Sequence, residues 1–219
     1  MNETLKKAVI LYATEDLKKV MEFLGSLSKP TLISTLLDLL TVYFNDKNSS
    51  KLRELTTLWL CGFEPSFEKL GYNGYRMNFA TGKIEHCEVK PQNTENPKKK
   101  LNGGGSFNDY TPERFGQDLK ENPTVLCSGF ANGKLIYIFE FKFECLKDRL
   151  QSLLNKRFPN LKRSSGEYLR SASFSFKDKD YKECSNLRLV YLRENWEEFG
   201  EYLSKELINY FKRQKNEKH

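Results

Sequence analysis

Cysteine and histidine are scarce in this 219-residue chain, and what there is lies scattered. The five cysteines, Cys61, Cys87, Cys127, Cys145 and Cys184, are odd in number and form no Cys-x-x-Cys, and there are only two histidines. That spacing argues against a zinc module and against a disulfide framework, so a reducing cytoplasm is the expected compartment. Long apolar runs are missing too: none approaches the roughly 18 residues of a membrane span. Met1-Asn2-Glu3 lacks the basic start and apolar core of a secretory leader, so no membrane association is expected. The glycine cluster Gly103-Gly104-Gly105 is not closed by Gly-Lys-Ser/Thr, which excludes a Walker-type phosphate loop. No internal repeat is present.

Enough apolar material remains to fold. Hydrophobic residues make up 38% and aromatics 13% of the chain, too much for a disordered protein, even though mean hydropathy is -0.65. The net charge of +7 points to a polyanionic partner. The length suits one domain over 1–219: a helical N-terminal region at 1–63, a mixed-sheet core at 64–192 with a basic, glycine-rich insertion at 92–117, and a closing helix at 193–213.

Leu5, Val9, Tyr12, Leu17, Val20, Met21 and Leu24 recur at helical spacing and predict one helix ended by Gly25. Ser28 and Pro30 open a second helix whose run from Leu32 to Tyr43 is apolar on most sides, as a helix that is buried or forms a subunit contact. A third starts at Ser49 or Ser50 and passes through Leu60. A short helix is expected over 66–70. Thr111-Pro112 caps a helix stopped by Asn122-Pro123. Around Asn132-Gly133, strands over 125–130 and 134–143 form a hairpin, its second strand apolar on both faces and therefore central. A helix over 146–158, strands over 171–177 and 187–192, and a helix over 194–213 complete the order. Helices around strands in this sequence give an α/β or α+β mixed sheet flanked by helices.

Tyr75 to Ala80 and Ile84 to Lys90 read as a second hairpin turning at Gly82, with Pro91 ending its second strand. Alternation puts Glu88 and Lys90 side by side with His86 on one face. The loop residue Asn73 followed at a distance by Glu88-Val89-Lys90 resembles the PD-(D/E)xK nuclease family, and the size and single domain are most like a type II restriction endonuclease. The resemblance spans about 64–142. It implies a restriction-endonuclease-like core, a homodimer, double-stranded DNA as substrate, and Mg²⁺, for which Mn²⁺ can substitute. Glu88 and Asn73 would hold the metal, joined by Glu68 or Glu64, and Lys90 would position the attacking water and stabilise charge on the phosphate. The chain departs from the family pattern at Asn73, where an acid is usual. A second Glu-x-Lys, Glu140-Phe141-Lys142, is either a second polar cluster near the first or a strand emerging into water.

Two segments carry DNA-binding chemistry. In the insertion, Lys98, Lys99 and Lys100 supply charge for phosphates, and Asn102, Ser106, Asn108 and Asp109 can bond base edges, with three glycines allowing close approach to a ligand. A polar, flexible insertion fits the same composition. Lys162, Arg163, Arg170, Ser173 and Lys177 interleave cations and hydroxyls with aromatics, as phosphate and base contacts do, or as an exposed strand packed inward through Ala172, Phe174 and Phe176 does. The alternative to a nuclease is a non-catalytic nucleic-acid-binding protein with a degenerate nuclease-like hairpin.

Overall fold

The computed structural model describes residues 3–46, 49–66, 71–79 and 81–216. The expected short helix over 66–70 and its Glu68 therefore lie outside the described residues, apart from Ser66.

The first expected helix is two: α1 (Glu3–Thr14) and α2 (Leu17–Gly25). Asp16 breaks the run because its carboxylate accepts the Lys19 N–H at 3.0 Å and so caps a new helix. Ser28 caps α3 (Lys29–Asn45) in the same way, and α4 (Lys51–Leu60) follows. On α3 only Thr35 is buried, while Ile33, Leu36, Leu37 and Tyr43 are each about half exposed. Of the two placements its composition allowed, burial in the core is thus excluded.

The core is a mixed six-stranded sheet. Strands β1 (Glu64–Pro65), β2 (Gly74–Asn78) and β3 (Lys83–Thr94) form an antiparallel meander. The insertion then supplies β4 (Gly105–Tyr110), and α5 (Pro112–Glu121) crosses over to β5 (Thr124–Ala131), which pairs with β3 in parallel. From β5 the chain turns at Asn132-Gly133, both at positive φ as a tight hairpin turn needs, into β6 (Lys134–Lys142). Helix α6 (Lys147–Arg157), β7 (Leu169–Phe174), β8 (Arg188–Leu192) and α7 (Lys205–Asn216) finish the chain. The sheet order is β1-β2-β3-β5-β6-β8, and β4 pairs with β7 as a separate two-stranded ribbon.

Several expectations are corrected. The closing segment is a 3₁₀ turn over Trp196–Tyr202 and then α7, because Ser204 re-caps the chain by accepting the Leu207 N–H. Pro91 does not end its strand; it sits inside β3. The Val89 N–H points away from β5 to the Asn73 side chain, and Pro91, two residues on, has its nitrogen on that same side, where β2 has already ended. A missing donor costs nothing on an unpaired edge. The cysteines, expected to be unpaired, include a disulfide between Cys145 and Cys184. Cys61, Cys87 and Cys127 stay free but buried, and burial pushes Cys61 up to about 12, so they are poor nucleophiles.

Two cores lie on the two faces of the sheet. Leu58 and Phe63 pack against Cys87, Val89, Leu126 and Ile138 on one face. On the other, Val125, Cys127, Tyr137, Phe139 and Phe141 pack under the β4–β7 ribbon, α6 and α7. The ribbon faces inward with Phe107, Ala172 and Phe174. Its three glycines serve that packing rather than a ligand: a methyl on Gly103 would fall 2.6 Å from Phe176, and one on Gly105 2.7 Å from Cβ of Lys90.

Candidate active site

Register decides where the two charged residues of β3 go. Glu88 pairs with Val125 and Lys90 with Cys127, so both share the face covered by the ribbon. Their side chains are only 13% and 16% exposed, with the Lys90 ammonium 2.7 Å from Glu88 Oε1. The same ammonium lies 4.4 Å from the centroid of the Phe107 ring, a cation–π contact. Gly105 lets β4 run against the aliphatic stem of Lys90. One turn of strand further, Gln92 exchanges two bonds with Asn102: its amide nitrogen reaches Asn102 Oδ1 at 2.7 Å, and its oxygen accepts the Asn102 N–H at 3.2 Å. The insertion is thereby fastened to the strand that carries the lysine.

Asn73 stands beside this pair. Its Oδ1 accepts the Val89 N–H at 2.8 Å, tying the loop before β2 to the residue between Glu88 and Lys90. The adjacent Tyr72 lies with its ring centroid 5.3 Å from that of His86, tilted by 34°, and donates to Asp118 Oδ1 at 2.9 Å. Tyr110 donates to Asp118 Oδ2 at 2.8 Å, and Arg114 Nε to Oδ1 at 2.8 Å, so this buried acid is fully satisfied. Burial, and after it Asp118, pushes both phenols well up, leaving them neutral donors. Burial would lower the Arg114 guanidinium, but Asp118 above all, and Glu88 after it, raise it. A second fixed cation therefore faces Glu88. An open depression of about 370 Å³ is lined by Tyr72, His86 and Arg114, next to Glu88 and Lys90 in the fold but not lined by them.

Of the other acids expected here, Glu64 shares the face through Tyr75 and His86 but is two strands away, roughly 10 Å at usual strand spacing. Glu68 lies outside the described residues. No group of three or more His, Cys, Asp or Glu side chains stands together among the described residues. Arg114, Asp118, Tyr72 and Gln92 were missed in the sequence, where nothing in local spacing connects them to Glu88.

The second Glu-x-Lys is a different object. Glu140 pairs with Leu126 and Lys142 with Thr124, which places them on the opposite face from Glu88 and Lys90. Glu140 is bound by Arg188 at 3.0 Å and approached by Arg76 at 3.7 Å. Lys142 bonds Glu85, which also takes Arg76 at 2.8 Å and the Thr124 hydroxyl at 2.6 Å. Burial would raise the Glu85 carboxyl, but these three donors outweigh it and hold it down to about 2.

The expected DNA-binding residues fall into three sets. Ser106 and Asn108 of β4 pair with Ser173 and Ser171 of β7, making a polar outer face on the ribbon, with Asp109 and Arg170 exposed beside it. Lys98, Lys100, Asn102 and Lys177 converge around one depression, and Lys99 is exposed beside them. Arg163 instead bonds Glu113 at 2.7 Å and the Glu167 carbonyl at 2.7 Å, so it braces the scaffold, while Lys162 is exposed.

Compared with known families and with curated proteins, the sequence matches no family model and is similar to no curated protein.

Proposed function

We propose that the chain is a Mg²⁺-dependent endonuclease that cuts double-stranded DNA at a short specific site, in the manner of type II restriction enzymes. The observation that carries this reading is the Glu88–Lys90 pair, held on a covered sheet face with the ammonium fixed by both the carboxylate and the Phe107 ring.

The residues present fit a weakly held Mg²⁺. That ion is commonly bound by one or two carboxylates, with waters and substrate phosphate completing its shell. Lys90 takes Oε1 of Glu88, which leaves Oε2, and Asn73 Oδ1 has a second lone pair beside the one used by Val89. Glu88 and Asn73 would hold the ion, with Glu64 or Glu68 as outer supports; when bound, it supplies Lewis acidity and a water of lowered pKa. Lys90 does the work that belongs to the chain itself. Its ammonium is set in place before the phosphate arrives, so it stabilises charge that grows on the phosphate oxygens without reorganising. Arg114, whose charge acts on Asp118 and more weakly on Glu88, adds positive potential that attracts the DNA backbone.

A palindromic duplex is matched by a two-fold protein. Helix α3 leaves Leu32, Ile33, Leu36, Leu37 and Tyr43 about half exposed, and Leu17 and Met21 of α2 are more exposed still. A second copy of this chain is the occupant that completes a two-fold nuclease there. A cytoplasmic location belongs to the same reading, and the Cys145–Cys184 disulfide speaks against it.

Plasmid or phage DNA incubated with the protein and Mg²⁺ gives discrete bands on this reading, and none in EDTA. The neutral Asn73 and the lack, among the described residues, of a second acid clustered with Glu88 favour one other reading, a non-catalytic nucleic-acid-binding protein. Binding without cleavage, in Mg²⁺ or Mn²⁺ and across several unmodified DNAs, would select it.

A further inference from the structure

Three separate segments bring lysines to the start of α7. Lys98 and Lys100 arrive from the insertion, Lys177 from the chain after β7, and Lys205 from the first residue of the helix. All four are exposed, and none forms an ion pair among the described residues. They surround a depression of about 410 Å³ in which Glu206 is the one acidic lining residue among the described residues.

The backbone holds this arrangement in register. Leu101 donates to the Tyr202 carbonyl at 2.7 Å and accepts from Ser204 N–H at 2.8 Å, so the residue after Lys100 is clamped to the residues before Lys205. The Lys177 N–H bonds the Asn102 carbonyl at 3.1 Å, and Phe176 N–H bonds that of Gly103 at 3.2 Å. Below, Leu101 and Leu203 are buried, and Gly103 fits only because it has no side chain. Four like charges are thus gathered by backbone contacts, with Glu206 beside Lys177 as a partial offset. Such clustering costs stability unless an anion visits.

The geometry points to this depression as an anchoring site for backbone phosphates of duplex DNA, built from Lys98, Lys100, Lys177 and Lys205. The duplex as partner rests on the nuclease reading. Lys205 and the start of α7 extend it, because nothing in the local sequence links them to the insertion. The site belongs to positioning: it would hold the DNA backbone while Glu88 and Lys90 meet the phosphate to be cut.

The test is the salt dependence of binding to a 30-base-pair duplex, roughly one to two footprints of such a protein, measured in EDTA so that no cleavage is needed. The variant carries Lys98→Gln, Lys100→Gln, Lys177→Gln and Lys205→Gln together. A charge-matched control carries Lys18→Gln, Lys29→Gln, Lys147→Gln and Lys156→Gln, all exposed and on α2, α3 and α6. Each lost phosphate contact removes about 0.9 from the slope of log K against log salt, so the first variant should lose about three to four and the control less than about one. If wild type binds and the two variants change alike, or neither changes, this site is wrong and the nuclease reading is untouched. If wild type binds no duplex at all, both are wrong. Matching thermal melts for the three proteins show that folding is not what differs.

Discussion

The chain carries Glu-x-Lys twice, and the two copies show how little the tripeptide says by itself. On β6, Glu140 and Lys142 do not bind each other. Each is engaged across the sheet, by Arg188 and Arg76 in one case and by Glu85 in the other, in a network of three cations and two acids. On β3, the partner of Lys90 is Glu88 itself, and the wall behind it is aromatic. A network that satisfies its charges ties five neighbouring strands of the sheet together. A pair with one oxygen left over and two cations nearby keeps something for a ligand.

The widest gap between the copies should appear in cleavage. Glu88→Gln and Lys90→Met are each expected to lower the rate by about 10²–10³ or more, since both act on charge in the transition state, and, because the pair is mostly buried, each also lowers the melting temperature, so the rate is compared on protein shown to be folded. Glu140→Gln and Lys142→Met should leave the rate within a few-fold and lower stability instead. Single-turnover cleavage alongside thermal melts for all four separates the two roles. Wild-type rates in the β3 variants with loss in the β6 variants would exchange them.

Next in size is the pH response of the β6 network. Glu85 has a folded pKa of about 2 against an ordinary 4.5, so it contributes stability that is complete above about pH 4.5 and is lost as pH falls toward 2. The full shift corresponds to roughly 3 kcal/mol, and about 2 kcal/mol remains after screening of its partly exposed partners Arg76 and Lys142. Glu85→Gln should therefore lose about 2 kcal/mol in urea unfolding at pH 7 and flatten the decline between pH 4.5 and 2. An unchanged acid limb would mean the network contributes little.

Local signals carried the hairpins, the caps at Ser28 and Thr111, and the pairing of Glu88 with Lys90, because turn residues and alternation act within a few positions. What failed needed distant partners. Asp16 looked like one more polar residue in an apolar repeat until its side chain proved to cap a helix. Pro91 read as a stop because the sequence does not say which edge of β3 is unpaired. The glycines of the insertion looked like room for a ligand, whereas they are room for Lys90, Phe174 and Phe176. Arg114 and Asp118 enter the site only through α5, which no motif ties to β3.

Gly105 offers a smaller and more local break. An alanine there would meet Cβ of Lys90 at 2.7 Å and the Phe174 ring at 2.8 Å, so either β4 lifts or the lysine shifts. Overpacking of this kind costs about 1–2 kcal/mol. A displaced ammonium should slow cleavage about tenfold while leaving DNA affinity unchanged, since positioning errors below 1 Å already matter. Gly116→Ala, within α5 where a methyl meets nothing, is the control: it should leave cleavage and DNA affinity unchanged and raise stability slightly, as alanine does inside a helix. Equal behaviour of the two variants would mean that Lys90 does not depend on the ribbon.

The smallest expected effect, and the one that bears on the metal, is at Asn73. Its oxygen already holds the Val89 N–H, so Asn73→Ala should cost about 1 kcal/mol whatever the residue does in chemistry. Asn73→Asp keeps the acceptor and adds a charge, so it should preserve that stability. The rate is a poor guide here, because added negative charge also repels the phosphate. The Mg²⁺ concentration for half-maximal cleavage is not confounded in that way. If the second lone pair of Asn73 faces the ion, that concentration should fall several-fold in Asn73→Asp and rise in Asn73→Ala. If it stays the same in both while the melting temperature drops only in Asn73→Ala, Asn73 is a pin between the loop and β3. The remaining ligand would then have to come from Glu64, brought nearer when DNA binds, or from Glu68.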